Sequence, residues 1–353
     1  MDDNRMKVLL VEFYTWHDEC LYTTCQLLKQ SGIEVSLVLN EKIKERTESL
    51  LNKVVAHLSY FPFKKGIKGY FALFKLYLYA IRGGFTHVYF NTAGGSEAWK
   101  FFLLPLPKHI KTIGTLHNIA KLTKSIGQKL ITSKIDGYIL LSDILLKQYQ
   151  SNCQLPVASV YPIIYPETIT SEIEKPEGEI WLAIPGAVSL KRRDYLSLFS
   201  SQSYNKHIKF IILGNRHKAD GDIVYEKVKA LRMESNFIFF EDYVSDRVFY
   251  GYIKKCDYLM PLVHPHDDIY SKYVSEKISG TYNLAFAYRK PMLCPQEMSV
   301  YEDFKDSSLF YDSSNIAEFV NSLTSSVDNQ FYCHAKWDTE KMRERLIDFL
   351  RNI

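Results

Sequence analysis

Short unbroken apolar runs alternate along the chain with longer stretches whose apolar positions recur at helical spacing. A short apolar run suits a strand buried on both faces, and helical stretches between such runs give the βαβ repeat of a parallel sheet. In the first half the runs are 7–12 (KVLLVE), 35–39, 87–91 (HVYFN), 111–116 and 137–141. A helical stretch at 21–30 lies between the first two and closes at Ser31-Gly32, a dipeptide suited to a helix C-cap. Residues 161–178 hold three prolines and several charges and read as a linker. The alternation then restarts with runs at 180–184, 209–213, 237–240, 258–260 and 291–293, and helices fit at 221–232, 246–255, 276–288 and 317–325. Met342, Leu346, Phe349 and Leu350 give a closing amphipathic helix. The pattern predicts an α/β chain of two Rossmann-like doubly wound domains, 1–165 and 166–335, with a C-terminal helix over 336–353 that packs back on the first.

Composition narrows the picture. A chain of 353 residues suits two cores better than one. A net charge of +4 lacks the concentrated basic character of a nucleic-acid binder, so no nucleic-acid partner is expected. The six cysteines are scattered with no CxxC pair, as in a reduced cytosolic chain. The N-terminal residues carry no signal-peptide pattern and no apolar run nears the ~20 residues of a membrane span, so a cytoplasmic location is expected. Residues 60–82 combine five Lys or Arg with many aromatic and aliphatic side chains. That mixture suits peripheral contact with the anionic inner face of a membrane, and equally a buried helix with one solvated edge.

In doubly wound sheets, ligands collect beyond the carboxyl ends of the strands, where strand order reverses. After the first strand there is no GxGxxG, which disfavours a dinucleotide site. Thr15, Trp16 and His17 stand there instead and suit a sugar-like acceptor, or an ordinary loop. Asn91, Gly94 and Gly95 follow the third strand and let the backbone approach a ligand, with Ser96-Glu97 able to open a helix toward it. His117 follows the fourth, within reach of a donor sugar or a developing charge. In the second half, Gly186 and Ala187 lead to Lys191, Arg192 and Arg193. A small-residue turn followed by cations is what a diphosphate requires, whereas cations at a helix start would oppose the helix dipole. Gly214 and Asn215 leave room for a nucleotide, and Tyr243 can face a base. Glu276, Lys277, Ser279 and Gly280 gather at a helix start, where a sugar diphosphate could be held. Tyr273 and Lys277 form the YxxxK pair of short-chain dehydrogenases, but the glycine-rich turn those enzymes need is missing. The HxHDD stretch (His264, His266, Asp267, Asp268) matches no metal-ligand spacing and reads as a polar loop, so no metal is expected.

The segments CLYTTCQLLKQSGIEVSLV, TLHN, GAVSLKR, KCDYLMPLVHP and LAFAYRKPMLCP occur in that order. Together they resemble the GT-B glycosyltransferases, in particular the large retaining family that includes many bacterial polysaccharide enzymes. The resemblance implies two Rossmann-like domains facing a central cleft, an acceptor domain first and a nucleotide-sugar donor domain second. It implies transfer of a hexosyl group from a nucleoside diphosphate to a carbohydrate or lipid-linked hydroxyl, in polysaccharide or glycolipid assembly, with no obligatory cofactor. On this resemblance His117 would contact the donor sugar and Lys191 or Arg192 the diphosphate. Glu276 matches the first glutamate of the family's paired-glutamate motif. The second glutamate falls at Leu284, and the arginine after the glycine is replaced by Ala187, leaving Arg193, Lys277 and Ser279 as substitutes. Retention follows from the resemblance; an inverting enzyme would need a base, with His17, Asp18 and Glu97 as candidates. Leu284 and Ala187 favour a second reading, a non-catalytic glycosyltransferase-like binding subunit.

Overall fold

A strand flanked by helices on both faces of its sheet has no wet side, which is why KVLLVE is apolar between its two charged ends, IWLAIP carries no charge, and both are buried nearly throughout. The computed structural model describes residues 6–64, 66–150, 154–167, 172–200, 203–324 and 330–353. Lys65, Cys153, part of the proline-bearing stretch and the end of the predicted 317–325 helix lie outside the described residues.

The first sheet comprises β1 (Lys7–Glu12), β2 (Glu34–Asn40), β3 (His57–Phe61), β4 (His87–Phe90), β5 (Lys111–Thr115), β6 (Gly137–Leu140) and β7 (Val157–Ser159), ordered β3-β2-β1-β4-β5-β6-β7. Every pair is parallel, and the order reverses between β1 and β4, where Val8–Val11 lie opposite His87–Phe90. The second sheet comprises β8 (Ile180–Pro185), β9 (Ile208–Asn215), β10 (Phe237–Phe240), β11 (Tyr258–Leu259), β12 (Met292–Pro295) and β13 (Ser308–Tyr311), ordered β10-β9-β8-β11-β12-β13. It too is parallel and reverses between β8 and β11.

The chain divides into two compact units. One holds Met1–Pro166, Glu276–Ile278 and Ala335–Ile353; the other holds Glu167–Ser275 and Ser279–His334. Each has its own apolar core. In the first unit, helix Thr339–Asn352 buries Met342, Leu346, Ile347 and Leu350. The buried His87 ring meets Leu350 O through Nε2 at 3.0 Å, and Arg345 pairs with Asp143 at 2.8 Å. Gly137 admits the helix closely, since a Cβ there would sit 2.8 Å from Phe349 Cζ.

The structure corrects several sequence expectations. Strands β3, β7 and β13 have no counterpart in the apolar-run reading, and all three lie at sheet edges. The helix expected over 276–288 is shorter, starting only at Gly280 (Gly280–Tyr288), and a separate helix, Asp268–Ser275, precedes it. The shorter helix begins where Ser279 supplies an N-cap, its hydroxyl accepting Thr281 N–H at 3.4 Å. At 191–193, by contrast, the cations lie in a turn, as the sequence reading preferred over a helix start: Arg192 N and Arg193 N both donate to Ser189 O at 3.0 Å. Asp194 then caps the short 3-10 helix Tyr195–Phe199. No described helix is long and apolar enough to cross a membrane.

Candidate functional site

At the reversal point of the first sheet stands a carboxylate. Glu12 ends β1, is wholly buried, and has both oxygens engaged: Oε1 accepts Tyr14 N–H at 2.8 Å, and Oε2 accepts Asn91 Nδ2–H at 2.7 Å and the Thr92 hydroxyl at 2.6 Å. Burial pushes its carboxyl from 4.5 up to about 7, against the pull of those hydrogen bonds. Sequence reading passed over Glu12 as the last residue of an apolar strand. The available signal was a lone carboxylate at the carboxyl end of a strand buried on both faces, where desolvation is costly.

Two imidazoles stack beside it. His17 and His117 lie with ring centroids 3.8 Å apart and planes 10° apart. His117 Nε2 meets Asn91 O at 2.8 Å. A carbonyl can only accept, so Nε2 carries the proton and Nδ1 the lone pair. Burial of the ring, with His17 against it, pushes the His117 pKa well down and keeps the imidazole neutral. His17 sits at φ 67°, a left-handed conformation uncommon outside glycine. Its carbonyl accepts a second hydrogen bond from Asn91 Nδ2 at 2.8 Å, and its Nδ1 lies 3.5 Å from Glu19. Asn91 therefore ties Glu12, His17 and His117 together, while its own buried Oδ1 has no partner among the described residues.

The neighbouring loops are pinned. Tyr14 stacks on the half-exposed Trp16, with centroids 5.0 Å apart. Gly95, at φ 87°, makes room for Tyr14: a Cβ there would lie 2.3 Å from the phenol oxygen. That oxygen accepts Glu97 N–H at 3.3 Å, and the Ser96 hydroxyl donates to Glu97 at 2.6 Å. The helix Ser96–Phe101 opens at Ser96-Glu97, as the sequence suggests, and is six residues long. A Cβ on Gly94 would sit 2.9 Å from Gln128 Oε1. Thr15 O accepts from Arg46, which also holds Asp18 at 2.7 Å. Asp18 is thus in an ion pair.

In the second unit, the loop after β8 meets the end of β9. Gly186 takes φ 102°, and a Cβ on Gly214 would lie 2.4 Å from Gly186 O, so only glycine permits this approach. Asp220 fastens the loop by accepting Leu190 N–H at 2.8 Å. Lys191 and Arg192 are exposed in the turn. Arg193 folds inward, donating to Pro185 O, to Ala187 O at 3.2 Å and to Thr281 Oγ1 at 3.2 Å, and so holds the loop's shape. Gly214 and Asn215 fall inside β9, with Asn215 Oδ1 accepting His217 N–H at 2.7 Å. Tyr243 is exposed after β10. The predicted 276–280 group is divided. Glu276 and Lys277 belong to the first unit, where Ile119 N–H donates to Glu276 O at 2.8 Å, two residues from His117. Ser279 and Gly280 belong to the second unit, and Leu284 is buried in helix Gly280–Tyr288.

No family model and no curated protein sequence matches the chain. Solved structures do. The crystal structure of Anabaena HepE in complex with UDP and glucose is similar at TM-score 0.68 and 14% identity, covering 99% of this chain and 100% of that one. A glycosyltransferase from Rickettsia africae is similar at TM-score 0.59 and 13% identity, covering 99% and 97%. The Neisseria meningitidis UDP-GlcNAc 2-epimerase bound to UDP-GlcNAc is similar at TM-score 0.57 and 11% identity, covering 99% and 100%. With its two parallel doubly wound units, the chain has the GT-B fold that these proteins share.

Proposed function

We propose that the protein is a glycosyltransferase that moves a sugar from a nucleoside diphosphate to a hydroxyl acceptor. The observation that carries this reading is the loop at the reversal point of the second sheet. There Gly186 and Gly214 let the loop after β8 close tightly on the end of β9 and on Arg193, and the loop then displays exposed Lys191 and Arg192. Cations displayed from a tight turn suit a diphosphate leaving group, whose charge the chain's own residues would offset without a metal. In this reading the second unit takes the donor and the first takes a carbohydrate or lipid-linked acceptor. Neutral His117 accepts a sugar hydroxyl at Nδ1, and Trp16 offers an exposed ring face. The setting we infer is assembly of surface polysaccharide or glycolipid.

A thermal-shift screen with UDP, GDP, CMP, dTDP and their sugars tests the donor site. One nucleoside diphosphate should raise the melting temperature. Lys191→Ala should weaken its binding about tenfold or more, the value of one charge-assisted hydrogen bond at ~1.5–3 kcal/mol. A flat response to every nucleotide would overturn the reading.

Epimerisation of a nucleotide sugar is a second reading, favoured by the stacked imidazoles beside a carboxyl that titrates near neutrality. NMR of the products separates the two, since an epimerase converts its sugar with no acceptor present.

Peripheral membrane contact at the inner face is also part of the proposal. Helix Ile67–Arg82 exposes Ile67, Tyr70, Phe71 and Phe74, with Lys68 and Lys75 exposed among them. The protein should float with anionic vesicles at low salt, and Phe71→Ser with Phe74→Ser should abolish that. Equal indifference to anionic and neutral vesicles would sink the idea.

A further inference from the structure

A cluster outside the diphosphate reading stands at the reversal point of the second sheet. Asp194 closes the loop after β8, and His264 and His266 lie on the segment after β11. Asp194 Oδ2 is 2.9 Å from His264 Nδ1 and 3.2 Å from His266 Nε2, and the three donor atoms all lie within 4.8 Å of one another. The His264 side chain is 0% exposed, that of Asp194 13% and that of His266 65%. Far from the polar loop its sequence suggests, HxHDD carries a wholly buried imidazole at its head.

We propose that Asp194 Oδ2, His264 Nδ1 and His266 Nε2 form a binding site for one divalent transition-metal ion of the zinc type, with solvent completing its coordination. Ligand atoms ~2.0–2.2 Å from a tetrahedral ion sit ~3.3 Å apart. The observed 2.9 and 3.2 Å separations reach that spacing through shifts of a few tenths of an ångström.

The outer contacts suit ligation. His264 Nε2 lies 2.8 Å from the buried Tyr311 hydroxyl. With Nδ1 on a metal, the neutral ring carries its proton on Nε2 and donates it there, the arrangement that orients metal-bound histidines. Asp194 Oδ1 accepts Ser197 N–H at 3.1 Å, which leaves Oδ2 turned toward the two rings. His264 N–H donates to Asp267 Oδ2 at 2.9 Å, and Asp267 Oδ1 is 3.8 Å from His266 Nε2. Two carboxylates thus face two imidazoles, and among the described residues no Lys or Arg forms an ion pair with either. A dication would balance that charge. Two imidazole nitrogens and a carboxylate favour zinc, cobalt, nickel or iron over calcium and magnesium.

The backbone supports the same geometry. Leu262, fully buried, takes φ 51°, and its carbonyl accepts Asp194 N–H at 2.8 Å, so the two ligand-bearing segments are joined just before the histidines. The ion would clamp the Gly186–Asp194 loop to the 262–267 segment and fix the turn that displays Lys191 and Arg192.

The test uses the full chain, purified without a histidine tag or chelator, and is independent of any transferase activity. Co2+ titration should give visible d–d bands saturating at one equivalent, and Zn2+ should displace the Co2+ and raise the melting temperature. His266→Ala alters an exposed side chain and should leave apoprotein melting unchanged while weakening Co2+ binding at least tenfold. Asp194→Asn should weaken it as well. Absent bands in the wild type, or equal Co2+ binding in wild type and His266→Ala, would overturn the site and leave an Asp–His–Tyr hydrogen-bond network.

Discussion

Glu12 offers the most direct test of the electrostatics at the first sheet's reversal point. Below pH 4.5 its carboxyl is protonated in folded and unfolded chains alike. As the pH rises from 4.5 to about 7, the native state keeps a proton that the unfolded chain has released. Stability contributed at low pH is therefore lost across that window, by ~3 kcal/mol at 1.36 kcal/mol per pH unit. Glu12→Gln is neutral throughout and should lose this slope. It carries a separate penalty: its amide must turn an N–H toward either Tyr14 N or the Asn91 and Thr92 donors, which costs ~1–3 kcal/mol at every pH. The wild type should thus be the more stable protein near pH 5, with the gap closing or reversing by pH 8. Hydrogen exchange at the β1 amides reads this within the first unit. A 13C carboxyl titration of labelled protein should show one glutamate with a midpoint about 7. Parallel pH profiles for the two proteins, or no glutamate titrating above 5.5, would refute the reasoning.

Three further outcomes follow from close contacts. Gly95→Ala must displace Tyr14 and adopt a strained φ of 87°, so we expect a loss of ~1–3 kcal/mol and a weakened near-ultraviolet signal from the Tyr14–Trp16 stack. Gly214→Ala drives a methyl to 2.4 Å from Gly186 O, and should cut nucleoside diphosphate affinity at least tenfold by calorimetry. Unchanged affinity would separate that loop from the donor. His87 is nearly buried, and burial pushes its pKa below 6.5. The unfolded chain takes up the proton first, so stability falls as the pH drops below 6.5. Proteolysis of helix Thr339–Asn352 should therefore quicken between pH 7 and 5.5. His87→Leu should remove that dependence while leaving Leu350 O unpaired, at a cost of ~1–3 kcal/mol.

The central strands were legible because burial on both faces leaves them few charged residues; KVLLVE and IWLAIP read as strands on sight. Three of the four edge strands, β3, β7 and β13, were not, whereas the fourth, β10, keeps the apolar run FIFF. HLSYF in β3 is half-exposed and SLFY in β13 is only partly covered, so neither needs an apolar run. The loops after β1, β4 and β5 could be singled out because the parallel-sheet pattern assigns them to one sheet edge. The stacking of His17 on His117 could not, since it depends on a left-handed backbone at residue 17 that no propensity favours. Glu12 was hidden by its neighbours, being read with its strand rather than against it. The Asp194–His264–His266 cluster joins positions 70 and 72 residues apart, and no local spacing rule reaches that far. At Lys191–Arg193 the charge pattern was visible, but only the structure separates Arg193, which shapes the loop, from the two cations that face outward.

The return of helix Thr339–Asn352 to the first unit has a consequence for the order of events during synthesis. Strands β1 to β7 are made first, yet the helix whose Met342, Leu346, Ile347 and Leu350 complete their packing follows the entire second sheet. The intervening stretch is about 170 residues, a delay of roughly 10–30 s at bacterial-to-eukaryotic translation speeds of ~5–20 residues per second. During that interval the nascent first unit waits with apolar surface uncovered around His87 and Gly137. The second unit, begun later, can close around its own core sooner. The half of the protein that leaves the ribosome first is thus the last to be finished, and it is the half in need of protection while it waits.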